Sequence, residues 1–422
     1  MPDAKRVGLV FAQDRKAIEA AVTAGSGNAR LRLLHVVPTY LPAVRYGGPI
    51  QSVHALCRAL AAQGHVTDVF TTNVDGPGDS DVPLERPVDL EGVQVTYFPS
   101  RRMRRLYWSP PMRRALFSRV ADYDLVHVHA IYLWPTWTAA RAARVRNVPY
   151  IVSPRGMLVP QLIQRKNRWI KQAWIRLIEK PNLERAAAVH TTSDIEAHHL
   201  GGFGWSLPKV VTIPHGVDDP PAVADVMVSP DIAAAIAGAP AVLAFGRISW
   251  EKGLDRLIAA LPLVPMARVI IAGGDGGQAN ALTGQAGALG VADRVTVIPR
   301  HIAGADKEAL FASAAAFAMT SLSENFGLAA FEAMRRGVPV LATPDVGMSE
   351  IVARARAGVI IEPSPEGIAR GLETLLQDRG AGRAMGERGR GLVIAEYGWN
   401  AVAARMTEVY RAAIEGQVGR RR

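Results

Sequence analysis

Short apolar runs separated by stretches of helical spacing set the rhythm of this chain. Leu31-Arg-Leu-Leu-His-Val-Val37 is the first run that reads as a buried strand, and Ile50–Gln63 follows it with apolar positions spaced for a helix. Val66–Thr72, Val93–Phe98, Asp124–His129, Ile151–Met157, Ala187–Thr192 and Val210–Pro214 supply the remaining strands of the first half. His215-Gly-Val-Asp-Asp-Pro-Pro221 reads as a hinge, after which the pattern starts afresh. Its strands are Ala241–Gly246, Arg268–Gly273, Val295–Pro299, Ala315–Met319 and Val338–Ala342, with Gly253–Leu261 as the first helix. Strands alternating with helices predict parallel sheets. The restart predicts an α/β protein of two doubly wound domains facing across a cleft. Residues 1–30, with the flexible joint Gly25-Ser-Gly-Asn28, read as an N-terminal extension.

Three of the predicted strand-to-helix turns carry chemistry. In Ser321–Met334 two carboxylates, Glu324 and Glu332, stand on either side of a helix start, and Ser323 is placed to cap that helix. The free amides there would form an anion site, although two solvated acids at a surface corner fit the same stretch. Gly246-Arg-Ile-Ser-Trp-Glu-Lys-Gly253 brackets another such turn with Arg247 and Lys252, so two cations and free amides converge as a diphosphate requires. Arg45-Tyr-Gly-Gly-Pro49 is a weaker phosphate signal, being neither Gly-x-Gly-x-x-Gly nor a P-loop. His127 and His129 share one face of their strand, with His129 at the carboxyl end where open α/β sheets bind ligands. As a metal pair they have no apparent third ligand. Asp79-Ser80-Asp81 reads as part of a solvated loop.

Composition narrows the classes. A chain of 422 residues suits two domains, and its single cysteine, Cys57, excludes an intrachain disulfide framework. No apolar run reaches the ~18 residues of a membrane span and no signal peptide opens the chain, so a soluble or peripheral cytoplasmic protein is expected. Charge is lopsided: residues 1–218 hold 28 Lys and Arg against 17 acids, while residues 219–422 hold 21 of each. The whole surplus of +11 belongs to the first half. Such asymmetry points to an anionic partner, nucleic acid or an anionic membrane. Two segments favour the membrane. Arg101–Arg114 carries six arginines, among them Arg104 and Arg105, beside Tyr107 and Trp108. Gln164–Lys180 reads as a basic amphipathic helix with Trp169 and Trp174 on its apolar stripe and Arg168 and Lys171 among its charges.

Taken together, Tyr46-Gly-Gly-Pro49, Asp124–His129, Ile213–Asp218, Gly246–Gly253, Gly273–Gly276, Ser323–Glu332 and Trp399 carry a resemblance. Residues 31–415 resemble the retaining GT-B glycosyltransferases of family four, and Arg101–Leu158 is similar to the bacterial exopolysaccharide subgroup. The resemblance implies two Rossmann-like domains: an acceptor-binding domain at 31–218 and a nucleotide-sugar-binding domain at 219–395. It implies a C-terminal helix at 396–422 that returns towards the first. Arg247 and Lys252 would hold the donor diphosphate, with Gly47 and Gly48 near its distal phosphate. Glu332 would take the ribose hydroxyls. Glu324 would orient the sugar, with Asn325, Phe326, Gly327 and Leu328. Arg300 and His301 would meet the base through their backbone, and His129 would lie beside the sugar and the acceptor. Arg104, Arg105, Trp108, Arg155, Arg168, Trp169, Lys171 and Trp174 would face the acceptor and the membrane. Two positions depart from the family: His215 stands where Asn is usual, and Gly347-Met-Ser-Glu350 replaces Gly-Gly-x-Pro-Glu.

These roles imply transfer of a hexose, with mannose as the leading sugar, from a GDP- or UDP-linked donor to a polyprenyl-diphosphate-linked or other glycan acceptor. The work would be done on the inner face of the plasma membrane without metal or further cofactor. A glycoside hydrolase fits poorly, because it needs facing carboxylates with one held protonated. A GT-B sugar-nucleotide epimerase is the alternative enzyme. A nucleic-acid binder is the alternative of another class, and it lacks a recognisable module.

Overall fold

The computed structural model describes residues 29–43, 48–158, 168–218, 227–238, 240–322, 324 and 326–419. Nearly all of the expected N-terminal extension therefore lies outside the described residues. The first half supplies β1 (Arg32–Thr39), β2 (Val66–Thr72), the hairpin β3 (Val74–Asp75) and β4 (Gly78–Asp79), and β5 (Pro87–Leu90). It continues with β6 (Val93–Phe98), β7 (Leu125–His129), β8 (Tyr150–Ser153), β9 (Ala188–Thr191) and β10 (Val210–Thr212). Eight of these form one sheet in the order β10-β9-β8-β7-β1-β2-β6-β5, with only the edge strand β5 antiparallel to its neighbour.

The second half supplies β11 (Ala241–Phe245), β12 (Val269–Ala272), β13 (Val295–Ile298), β14 (Ala314–Met319), β15 (Val340–Ala342) and β16 (Gly358–Ile360). They form a parallel sheet in the order β13-β12-β11-β14-β15-β16. Helices cover both faces, which is why central strands such as β7, β8 and β12 are buried along their whole length.

Each sheet reverses its strand order once: between β1 and β7 in the first, and between β11 and β14 in the second. Loops leaving the carboxyl ends of such a pair diverge and open a crevice. The Arg247–Lys252 turn follows β11 and the Glu324 loop follows β14, so topology brings the two turns together.

The chain crosses between the domains twice, and the crossings hold each other. Val217 N–H donates to the Tyr397 carbonyl at 2.8 Å, and Val217 forms an isolated bridge with Gly398. Gly216 is required here, since a Cβ on it would lie 2.4 Å from the Trp399 ring. From Trp399 the last helix runs to Gly419 across the first domain. Val402, Ala403, Met406 and Tyr410 are buried there among Leu31, Leu33, Leu56 and Leu60. Burial of Val402 and Met406 contributes roughly 1.5–3 kcal/mol apiece, which helps to anchor a helix that ends in the other domain.

Three local expectations change. The segment between β2 and β6 is not simply a solvated loop: it forms the β3–β4 hairpin and the edge strand β5, where Pro87 is tolerated at the strand start. Asp79 lies in that hairpin and pairs with Arg104. The basic helix is described from Arg168. It is regular to Trp174, widens into a π turn over Ile175–Glu179 and resumes over Lys180–Glu184. Pro181 has no N–H to donate to Leu177, and the wider turn absorbs the missing bond.

Candidate active site

On the second domain's rim, charges meet in pairs. The Lys252 ammonium contacts the Glu324 carboxylate directly, joining the loops on either side of the β11/β14 reversal. The same loops are fastened through backbone: Leu322 N–H donates to the Glu251 carbonyl at 2.8 Å, and the Thr320 hydroxyl donates to the carbonyls of Lys252 and Gly253 at 3.1 Å. Gly253 has φ +59°, and a Cβ there would stand 2.4 Å from the Thr320 oxygen, so this close approach needs glycine.

The unusual Gly347–Glu350 stretch supports Glu324 from the other side. Glu324 N–H donates to the Asp345 carbonyl at 3.2 Å, and Gly347 N–H donates to the Glu324 carbonyl at 2.9 Å. Met348 is fully buried beside this loop, while Glu350 points outward at the start of the helix Ser349–Ala355.

The helix that follows Glu324 runs from Leu328 to Arg335 with Gly327 as its N-cap, not Ser323, which lies outside the described residues. Glu332 on its second turn pairs with Lys307 at 2.7 Å. Arg247 is exposed at the cleft edge. The Arg300 side chain is committed to structure. It donates to Asp231 at 2.8 and 2.9 Å and to Asp306 at 2.8 Å, leaving its backbone and exposed His301 at the rim.

The first domain's rim is of another kind. The parallel pairing of β1 with β7 sets His35 beside His127, and His129 lies two residues further along the same face. His35 Nδ1 and His129 Nε2 are 3.0 Å apart, and Arg155 Nη2 donates to His129 Nδ1 at 3.0 Å. Since guanidinium only donates, the His129 proton is on Nε2 and points to His35. Both nitrogens of His129 are thus engaged, and its surface is 1% exposed. It lies beneath the rim, held between His35 and Arg155.

Partly exposed Arg155 stands over His129, with φ +59° just past the end of β8. Its Nη1 reaches the Ser52 hydroxyl at 3.2 Å and the His215 ring at 3.3 Å. His215 in turn packs edge-on to Phe326 of the opposite domain, with ring centroids 4.9 Å apart.

Burial, reinforced by Arg155, pushes His35 down to about 3 and holds His127, His129 and His215 well below the usual imidazole range. His190, whose Nδ1 meets Ser153 Oγ at 3.3 Å, is likewise near 3. Burial also lowers Arg155, to about 10. His35 is the third imidazole that sequence spacing did not reveal beside His127 and His129, and the three present ligand atoms within 4.8 Å of one another. A guanidinium abuts them where a cation would want a carboxylate, so the cluster does not suit a metal.

Residues 47–216 match the family described as Glycosyl transferase 4-like domain, and residues 232–392 match Glycosyl transferases group 1. A D-inositol 3-phosphate glycosyltransferase of Jonesia denitrificans is 30% identical over 396 residues, covering 86% of this chain and 91% of that protein. This chain belongs to the GT-B glycosyltransferases. A GDP-mannose:cellobiosyl-diphosphopolyprenol alpha-mannosyltransferase of Komagataeibacter xylinus is 26% identical over 410 residues, covering 92% of this chain and 95% of its own. In fold, it superimposes on Anabaena HepE, solved in complex with UDP and glucose, with a TM-score of 0.69 at 20% identity; the match covers 91% of this chain and all of HepE.

The structure of this glycosyltransferase sorts the expected site residues. Arg247, Lys252, Glu324, Phe326, Gly327, Leu328 and Glu332 gather on the second domain's rim. Gly48 opens the helix Gly48–Ala62 on the first, while Gly47 and Asn325 lie outside the described residues. Of the acceptor and membrane set, Arg155 lines the cleft. Arg104 is tied to Asp79, Trp108 packs edge-on to Trp134, and Trp174 donates its indole N–H to buried Glu179 at 2.7 Å. Arg104 and Trp108 are fixed by partners distant in sequence, whereas Trp174 meets Glu179 within its own helical segment, and Glu179 is tied to the rest of the fold by accepting from Tyr132 N–H at 2.7 Å. Trp169, 75% exposed, and Leu177, 74% exposed, stay on the surface with Arg105, while Lys171 is partly exposed and Arg168 opens the helix. Sequence reading missed His35, Ser52, Lys307 and Tyr410, whose hydroxyl sits 2.8 Å from His127 Nδ1. Only the strand alternation in Leu31–Val37 hinted at His35. Within the described residues, no helix is long and apolar enough to cross a membrane.

Proposed function

We propose that the chain transfers a hexose, with mannose from GDP-mannose as the first candidate and UDP-sugars next, to a polyprenyl-diphosphate-linked saccharide with retention of configuration. The observation that carries this reading is the Lys252–Glu324 contact across the β11/β14 reversal. A donor diphosphate entering between Arg247 and Lys252 would draw the ammonium away and free the Glu324 carboxylate for the sugar hydroxyls. Glu332 would exchange Lys307 for the ribose in the same way.

As the anomeric carbon–oxygen bond breaks, negative charge grows on the diphosphate, where two cations and the amides at Leu328 receive it. The acceptor hydroxyl attacks from the face the diphosphate leaves, and its proton passes to the departing phosphate oxygen. Protein cations carry the charge in this mechanism, so it is metal-independent. The basic first domain holds the acceptor, and the exposed Trp169 and Leu177 with Arg105 and Lys171 rest on the anionic inner face of the plasma membrane. Identity with the inositol 3-phosphate glycosyltransferase favours a second reading, in which the acceptor is a soluble phosphorylated polyol.

Glu324→Ala is expected to abolish transfer while leaving nucleotide binding largely intact; an unchanged rate would sink the assignment. Thermal-shift screening of nucleotide sugars fixes the donor. Product analysis with lipid-linked and soluble acceptors separates the two readings, and the anomeric configuration of the product tests retention. An epimer formed from UDP-N-acetylhexosamine without acceptor would replace both readings with epimerase activity.

A further inference from the structure

At the end of the first domain opposite the cleft, the amino ends of β8 and β9 border an open cavity of about 650 Å³. Arg144 and Arg146 reach it from the end of the helix Trp134–Val145, and Arg185 reaches it from the end of Lys180–Glu184. Asn147, Tyr150 and Gln417 of the last helix complete the wall that matters, and among the described residues no carboxylate lines the cavity.

Cations at helix ends are favourable in themselves, so three arginines could be caps and nothing more. Their partners argue otherwise. Arg146 Nε donates to the Phe117 carbonyl at 3.1 Å, but Arg144 Nη1 is buried with no hydrogen-bond partner. Among the described residues, none of the three forms an ion pair. A buried charged N–H without an acceptor is costly, and the exposed Arg146 and Arg185 beside Arg144 add positive potential to the same space. An anion relieves both, and the arginine fork matches phosphate oxygens.

We propose that this cavity binds a phosphate-bearing ligand of at least two negative charges, separate from the donor site. The ligand would bridge Arg144 and Arg185 and brace the end of the last helix at Gln417. The shared chemistry has two sources, a free diphosphate or phosphorylated metabolite and an anionic lipid headgroup.

The test uses the full chain carrying Arg247→Ala and Lys252→Ala, which silences the donor site. Inorganic diphosphate is titrated by calorimetry, and co-sedimentation is measured with vesicles of phosphatidylglycerol and of phosphatidylcholine. Saturable diphosphate binding that weakens about tenfold or more on adding Arg144→Gln or Arg185→Gln supports a soluble ligand. Binding to phosphatidylglycerol vesicles alone, lost in the same variants, supports the headgroup. Should Arg144→Gln unfold, Arg185→Gln alters an exposed side chain and carries the test. Absence of both kinds of binding, or binding indifferent to Arg185→Gln, overturns the proposal.

Discussion

The two rims of the cleft solve opposite problems with different chemistry. The second domain's rim keeps its charges paired and partly exposed, Lys252 with Glu324 and Lys307 with Glu332. Ion pairs in such a setting are weak, so a charged ligand can take either partner at little cost. The first domain's rim rests on imidazoles that burial keeps neutral, with one guanidinium, Arg155, bonded across His129, His215 and Ser52. That network has no spare ion pair to exchange. The second domain's rim is built so that a charged ligand can rewire it, and the first domain's rim is built to hold still.

The largest effect should come from removing the exchangeable cation. Lys252→Ala is expected to lower kcat by about 10²–10³-fold, and Lys252→Arg to recover part of it. An effect confined to KM would mean that the contact with Glu324 serves ground-state binding alone. At the seam between the rims, Gly216→Ala forces a methyl into the Trp399 ring and should cost about 1–3 kcal/mol in urea unfolding. Trp399→Leu in the same chain should restore part of that loss.

The neutral rim makes a pH prediction. Above the ordinary imidazole value of 6.5 the folded and unfolded chains agree in protonation at His35 and His190. Between 6.5 and about 3 the unfolded chain binds protons that the folded chain refuses. Stability is thus full above 6.5 and is lost as pH falls, by about 1.4 kcal/mol per pH unit for each such histidine. Urea midpoints at pH 7.5, 6.0 and 5.0 would measure the slope, and His35→Asn should flatten it. An unchanged slope would remove the idea of a neutral rim. The smallest effect is expected for Glu332→Gln, which should raise the donor KM about three- to tenfold with kcat nearly constant. A fall in kcat instead would give Glu332 a part in the chemistry.

Much of this was legible in the sequence because its cause is local. Apolar runs of strand length, the turn residues that end them and the restart after His215 fix two parallel α/β units, since burial on both faces demands those runs. Arg247, Lys252 and Glu324 could be placed for the same reason, each lying on a turn that its own neighbours define, and Glu332 by the helical spacing that follows.

What the tertiary structure alone decided is which distant residues meet. Strand register put His35 beside His127 and His129 beneath Arg155, which follows the next strand. Partners far along the chain drew Trp108 and Arg104 into the fold, and Tyr132 holds the Glu179 that Trp174 bonds, leaving Trp169 and Leu177 outside. Hydrophobic periodicity reports which face of an element is buried. It is silent on which other element covers that face, because pairing between strands and the return of a final helix depend on the packing of the whole chain.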